Sequence, residues 1–115
     1  MKRFLASITI LVMLLATTPL VGCFRTDRIQ DILTTPAAYE GKEVNFKGYV
    51  GNTIWISLLN RGTYELGDGS GTIWVITSQP PPQEGAKVTT RGVVQRAFKL
   101  GDRAFGTVVI ESRRN

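Results

Sequence analysis

Histidine is absent from the 115-residue sequence, and cysteine occurs once. Without imidazole there is no His-based catalytic triad, no histidine metal site and no histidine axial ligand for haem. With a single thiol, no disulfide can close within the chain. Acidic residues number nine. Of these, Glu40, Glu43, Glu65, Asp68, Glu84, Asp102 and Glu111 fall at no spacing that pairs two carboxylates for acid–base work. No phosphate-binding glycine loop is present. Asp68 lies in Asp68-Gly69-Ser70-Gly71, where a short acidic side chain bonds the nearby backbone of a turn. The expectation is a protein that is not an enzyme, holds no metal, haem or other cofactor, and works by binding.

What is present begins with Lys2 and Arg3, followed by an apolar run from Phe4 to Ala16 that Thr17, Thr18 and Pro19 end. This is the pattern of a secretory signal, shorter than the ~20 apolar residues of a comfortable membrane span. Leu20-Val21-Gly22-Cys23 comes next. The tetrapeptide resembles the lipobox of bacterial lipoproteins, and the resemblance covers the first 23 residues. It implies a thioether between Cys23 and diacylglycerol, cleavage before Cys23, and acylation of the new amine by a fatty acid such as palmitate. The other readings are an ordinary signal peptide or an uncleaved anchor. The expected organisation is a signal at 1–22, a lipidated tether with a short helix at 23–39, and one domain at 40–115, on the extracytoplasmic face of a bacterial membrane. Cleavage would leave 115 − 22 = 93 residues and, with Lys2 and Arg3 gone, a charge of +3 instead of +5. That length holds one small core. Arg25 and Arg28 stand near the anchor and Arg113-Arg114 at the tail; they would favour anionic headgroups or simply be solvated.

Residues 24–35 read as tether and helix. Thr26 is placed to cap, Asp27 and Asp31 suit the first turns, Ile29, Ile32 and Leu33 share a face, and Thr35-Pro36 ends the helix. From Glu43 the period changes to two. Val44, Phe46, Gly48 and Val50 point one way, and Asn45, Lys47 and Tyr49 the other. The stretch Tyr64–Ile76 is a hairpin turning at Asp68-Gly69-Ser70-Gly71. A fourth strand holds Val88, Thr90, Gly92 and Val94 against Thr89, Arg91, Val93 and Gln95. A fifth spans roughly Phe105 to Glu111, and Pro80-Pro81-Pro82 breaks the chain after the third.

One phrase occurs twice. Glu40–Val50 and Glu84–Val94 both read Glu-Gly-x-x-Val-x-x-[Lys/Arg]-Gly-x-Val, offset by 84 − 40 = 44 positions. Glycine inside a strand marks a sharp bend or a close approach of backbone. Gly48 and Gly92 therefore mark two bent strands, each begun by a Glu-Gly turn. Together with the hairpin, this order resembles the OB-fold, and in particular the tRNA-anticodon-binding-like OB superfamily and its bacterial extracytoplasmic relatives, over about Glu40 to Ile110. The resemblance implies an all-β, five-stranded Greek-key barrel in which strands one and four lie side by side. Two segments depart from it. Gly51–Thr63 is longer than a tight first connection, and either prolongs strand one or forms a lip. Gln79–Gln83 is proline-rich where many OB-folds insert a helix. The haem chaperones of cytochrome c maturation share the barrel but hold haem through a histidine, which this chain lacks.

OB-folds bind on the outer face of strands two and three, flanked by the loops between strands one and two and four and five. Alternation from Ile73 and Val75 puts Trp74 outside, with Lys47, Tyr49 and Arg91. These four are the expected ligand-binding residues: aromatics to stack, cations to meet anions. The alternative for Trp74 is packing beneath Gly51–Thr63 or Trp55. The expected function is a lipid-anchored binding module for an envelope protein, glycan or other ligand. The alternatives are a single-stranded nucleic-acid binder or a structural subunit of a membrane complex.

Overall fold

The computed structural model describes residues 26–115, so the signal segment, Cys23 and Arg25 lie outside the described residues. Among those described, no helix is long and apolar enough to cross a membrane. Two short helices, α1 (Ile29–Thr34) and α2 (Pro36–Tyr39), precede five strands: β1 (Glu43–Ile56), β2 (Arg61–Gly67), β3 (Thr72–Thr77), β4 (Lys87–Leu100) and β5 (Arg103–Arg114). A 3-10 turn, Ser57–Leu59, joins β1 to β2. The strands close into a barrel in the order β1-β2-β3-β5-β4. Of these five strands only β3 and β5 pair in parallel, and Glu40 makes an isolated parallel bridge to Val94. This is the expected OB-like barrel, with strands one and four adjacent.

The repeated phrase builds the β1–β4 seam from two equivalent halves. Val44 pairs with Gly92, and Gly48 with Val88. Because 44 + 44 = 88 and 48 + 44 = 92, the two pairs are equivalent under exchange of the copies. A local two-fold passes through the Phe46–Thr90 pair. The Glu-Gly turns obey it. The Gly41 N–H donates to the Val94 carbonyl at 2.9 Å and the Gly85 N–H to the Val50 carbonyl at 2.8 Å. The Val94 N–H donates to the Lys42 carbonyl and the Val50 N–H to the Ala86 carbonyl. Each turn thus ties off the far end of the other strand. Both glycines need left-handed backbone, φ +77° and +85°, which costs a residue with a Cβ about 1–2 kcal/mol.

Gly48 and Gly92 face inward where strands nearly touch. A Cβ on Gly48 would run into the Gly67 carbonyl, with its carbon 2.8 Å away. One on Gly92 would overlap the Ile110 carbonyl and come within 2.7 Å of Val109 Cγ1. The inward positions otherwise fill as the period of two predicts: Val44, Phe46, Val50, Tyr64, Leu66, Ile73, Val75, Val88, Val94 and Val109 form the core.

The end of the barrel by the β2–β3 turn is closed by α1 rather than by a helix after β3. Ile29 and Ile32 are fully buried in the same core, a contribution of about 1.5–3 kcal/mol each. The start of α1 differs from the sequence expectation. Thr26 does not cap it; the helix begins at Ile29, with extended Arg28 before it and no side-chain cap of its own. Asp27 instead exchanges hydrogen bonds with Asn45, N–H to carbonyl at 2.7 Å and Asn45 N–H to carboxylate at 3.0 Å. The free N–H groups of the first turn are met from across the chain: Ile29 donates to Asp68 Oδ2 at 3.0 Å and Gln30 to Ser70 Oγ at 3.1 Å. Thr35-Pro36 ends α1 as expected, with Thr35 its C-cap, and Pro36 opens the separate helix α2.

Two hairpins extend beyond the barrel. Gly51–Thr63 prolongs strand one: β1 continues through a bulge between Val50 and Thr53 and pairs with β2 as far as Ile56. β4 and β5 continue past the barrel to Leu100 and Arg103, longer than their sequence pattern shows. Ala97 at φ +53° and Gly106 at φ +74° accompany register shifts that bend this arm. Phe98, Leu100 and Phe105 of the arm pack with Ile56, Trp74, Ile76, Val108 and Ile110 in a second apolar cluster, outside the barrel core.

Candidate functional site

The outer face of β2–β3, where the OB resemblance puts ligands, is partly covered. Trp74 points outward between Ile73 and Val75, opposite Glu65, but it is half-buried. Its ring meets that of Phe105 edge-on, centroids 5.4 Å apart. The β4–β5 arm supplies the ring contact, and Ile56 of the Gly51–Thr63 segment packs against the same cluster. Trp55 packs elsewhere, over Gly62.

The other three expected residues stand together on a different flank. Lys47 pairs with Thr89, Tyr49 with Lys87 and Asn45 with Arg91; Arg91 pairs in turn with Arg113 of β5. Trp74 is separated from Tyr49 by β2 and from Arg91 by β5. The structure thus brings Lys47, Tyr49 and Arg91 onto one surface, adds Lys87 and Arg113, and leaves Trp74 out. Tyr49 is 60 % exposed, with Lys87 Nζ 5.9 Å from its ring centre. On the outward positions of the paired segments four cations face one acid, Glu43, which holds Arg91 at 3.3 Å. Asn45, Thr89, Arg91, Arg113, Arg114 and Asn115 line a concavity of about 280 Å³ on this flank. Of its lining residues, Thr89 and Asn115 exchange backbone hydrogen bonds at 3.0 and 2.9 Å.

Arg113 reaches this surface because of a bulge. Glu111 pairs with Gly92 on the inward side, the register shifts at Ser112, and Arg113 then meets Arg91 outside while Arg114 returns inward to Thr90. Ser112 Oγ donates to the Arg91 carbonyl at 3.0 Å, fixing the bulge. The sequence shows Arg113-Arg114 as one basic tail; the bulge gives the two residues different work.

Arg114 belongs to a buried polar cluster at the barrel end away from α1. The Tyr64 hydroxyl donates to the Glu111 carboxylate and lies 2.8 Å from Thr90 Oγ1. Thr77 Oγ1 donates to Glu111 Oε1 at 2.9 Å. Arg114 pairs with Glu111 at 3.4 Å, donates to the Pro80 carbonyl at 3.0 Å, and covers the Tyr64 ring. Burial pushes the Tyr64 hydroxyl well above its ordinary pKa, and its hydrogen bond to the Glu111 carboxylate pushes it further. The carboxylate has only 4 % of its side chain exposed, and its oxygens are occupied by Tyr64, Thr77 and Arg114. That makes the cluster a structural plug. Sequence reasoning missed it, although the alternation from Val109 puts Glu111 on the inward face.

Asp68 behaves as the turn pattern implies and does more. Oδ1 accepts from the Ser70 N–H at 2.9 Å, the Gly71 N–H at 3.3 Å and the Ser70 hydroxyl at 2.6 Å, while Oδ2 caps α1. Burial pushes the carboxyl up, but the Ser70 hydroxyl and the N–H groups of Ile29, Ser70 and Gly71 outweigh it and hold the pKa below its ordinary value.

No family model matches the chain, and no curated protein matches it in sequence. Among solved structures it is similar to asparaginyl-tRNA synthetase from Pyrococcus horikoshii in complex with asparaginyl-adenylate. That match has a TM-score of 0.63 at 15 % identity, covering 80 % of this chain and 22 % of that one. A second structure of the same synthetase matches with a TM-score of 0.55 at 16 % identity, over 68 % of this chain and 20 % of that one. The chain thus spans about a fifth of the synthetase's length, and at this identity the likeness shows the OB-fold alone.

Proposed function

We propose that the chain is a lipid-anchored, extracytoplasmic OB-fold module that works by binding, and that it takes an anionic ligand of the cell envelope on the β1–β4–β5 flank. The observation that carries this is the charge on that flank: Lys47, Lys87, Arg91 and Arg113 outward against Glu43, with the Asp27 carboxylate held on the Asn45 N–H at its edge. The anchor rests on Leu20-Val21-Gly22-Cys23 and the signal pattern before it. The covered β2–β3 face supports the choice of flank, because Trp74 is already engaged by Phe105.

Dextran sulfate tests the reading. Binding should weaken as salt rises, and Arg113→Gln should weaken it about fivefold, the size of one surface cation against an anionic array. Affinity indifferent to salt and to Arg113→Gln would reject it. A second reading, single-stranded nucleic acid, has exposed Tyr49 among the cations in its favour. A short oligothymidine that binds more tightly than dextran sulfate of equal charge, and that loses about 1–3 kcal/mol with Tyr49→Ala, would favour that reading instead.

A further inference from the structure

The large apolar side chains that stay exposed among the described residues are Tyr49, Trp55, Leu58, Leu59 and Val93. All follow β1. Tyr49 and Trp55 are on the strand, on opposite faces because the bulge between Val50 and Thr53 sets Trp55 with Thr53 and Tyr64; Leu58 and Leu59 are in the turn that ends it, and Val93 pairs with Glu43 at its start. Leu58 is 99 % exposed, Leu59 49 % and Trp55 37 %. Left-handed Asn60 closes that turn, and between Gly51 and Tyr64 the only charge is Arg61. Lys47 and Lys87 flank the middle of the same strand, and Arg91 and Arg113 lie beside Asn45, nearer its start. At its start, Asn45 is hydrogen-bonded to Asp27, four residues after Cys23. The expected anchor, the cations and the apolar tip thus succeed one another along a single strand.

A protruding tip of leucine and tryptophan beside a patch of lysine and arginine matches the interface of an anionic bilayer. Tryptophan and leucine settle at headgroup level and cations meet lipid phosphates. We infer that β1 lies along the anionic bilayer that carries the anchor, its cations at the headgroups and the tip of its hairpin with β2, Trp55, Leu58 and Leu59, inserted in the interface. This rests on the anion-binding reading above and names its partner. The tether agrees with it. Four residues span at most about 14 Å, so the α1 end of the barrel stays at the surface. The apolar tip at the far end of β1 then favours a barrel lying along the membrane over one standing on it.

The test reconstitutes the full chain into phosphatidylcholine vesicles with brominated acyl chains, with and without phosphatidylglycerol at roughly a third of the lipid. The chain has two tryptophans, so Trp74→Phe isolates Trp55. Its emission should move to shorter wavelength and be quenched in the phosphatidylglycerol vesicles. Both effects should be lost when Leu58→Asp is combined with Leu59→Asp, and reduced when Lys47→Glu is combined with Arg113→Glu. If Trp74→Phe does not fold, the same signal is read as the difference between the parent chain and Trp55→Phe. Emission from Trp55 that stays water-like, or quenching indifferent to both pairs of changes, overturns the inference. Retention on washed vesicles reports the anchor separately, and dextran sulfate binding reports the cationic flank. A chain that keeps both and leaves Trp55 in water refutes the membrane contact alone.

Discussion

Asp68 joins two parts of the fold with one carboxylate, one oxygen turning β2 into β3 and the other capping α1. Asp68→Ala should therefore cost about 1–2 kcal/mol, as for the loss of a helix cap with its turn bonds, read by urea unfolding. The pH dependence has a definite sign. The folded-state pKa is depressed, so the contribution is fully present above the unfolded value, near ~4, and is lost as pH falls through the lower folded value. The parent should lose stability across that acidic range and Asp68→Asn should lose less, measured as unfolding midpoints from neutral pH downward. Trp74 makes the complementary case. Its outward direction was legible from Ile73 and Val75, but its cover was not, because Phe105 arrives from more than 30 positions away. Trp74→Ala should destabilise by about 1–3 kcal/mol, in the range of a partly buried packing residue, and should leave dextran sulfate binding unchanged.

The β1–β4 pair explains why one phrase is written twice. Each strand needs the same turn at its start and the same close approach within it, and antiparallel pairing of equivalent segments satisfies both through a local two-fold. Gly41→Ala and Gly85→Ala should cost similar amounts, about 1–2 kcal/mol each. Gly48→Val and Gly92→Val should each cost about 3 kcal/mol or more, because the new side chain meets backbone that cannot move aside. Equal stability of parent and variants in thermal unfolding would contradict the seam. Where side chains alternate without interruption, as from Val44 to Val50 and from Val88 to Val94, the strands and their inward faces could be read directly. Where a bulge breaks the period, at Gly51-Asn52, Ala97 and Ser112, they could not. The β4–β5 arm and the divergence of Arg113 from Arg114 both lie beyond such a break. The helix cap was equally hidden, since Thr26 has the right chemistry but the partner chosen lies across the chain at Asp68.

Over the described residues the molecule is a barrel closed at one end by α1, plugged at the other by the Tyr64–Glu111–Arg114 cluster, and covered over β3 by its own arm. The flank along β1 is exposed. Three of the four residues read from sequence as a site fall there, because period-two alternation places side chains on a face reliably but does not say which strands adjoin. Anchoring is tested at Cys23: Cys23→Ser should abolish palmitate labelling, and labelling that survives would remove the lipid from the account. The claim that the flank binds, rather than the β2–β3 face, is tested most directly by following backbone amide and tryptophan indole resonances while dextran sulfate is added. The account predicts that Lys47, Thr89, Arg91 and Arg113 shift together at low ligand while the Trp74 indole stays in place. Early movement of the Trp74 indole with Phe105, and stationary amides along β1 and β4, would contradict it and return the site to β2–β3.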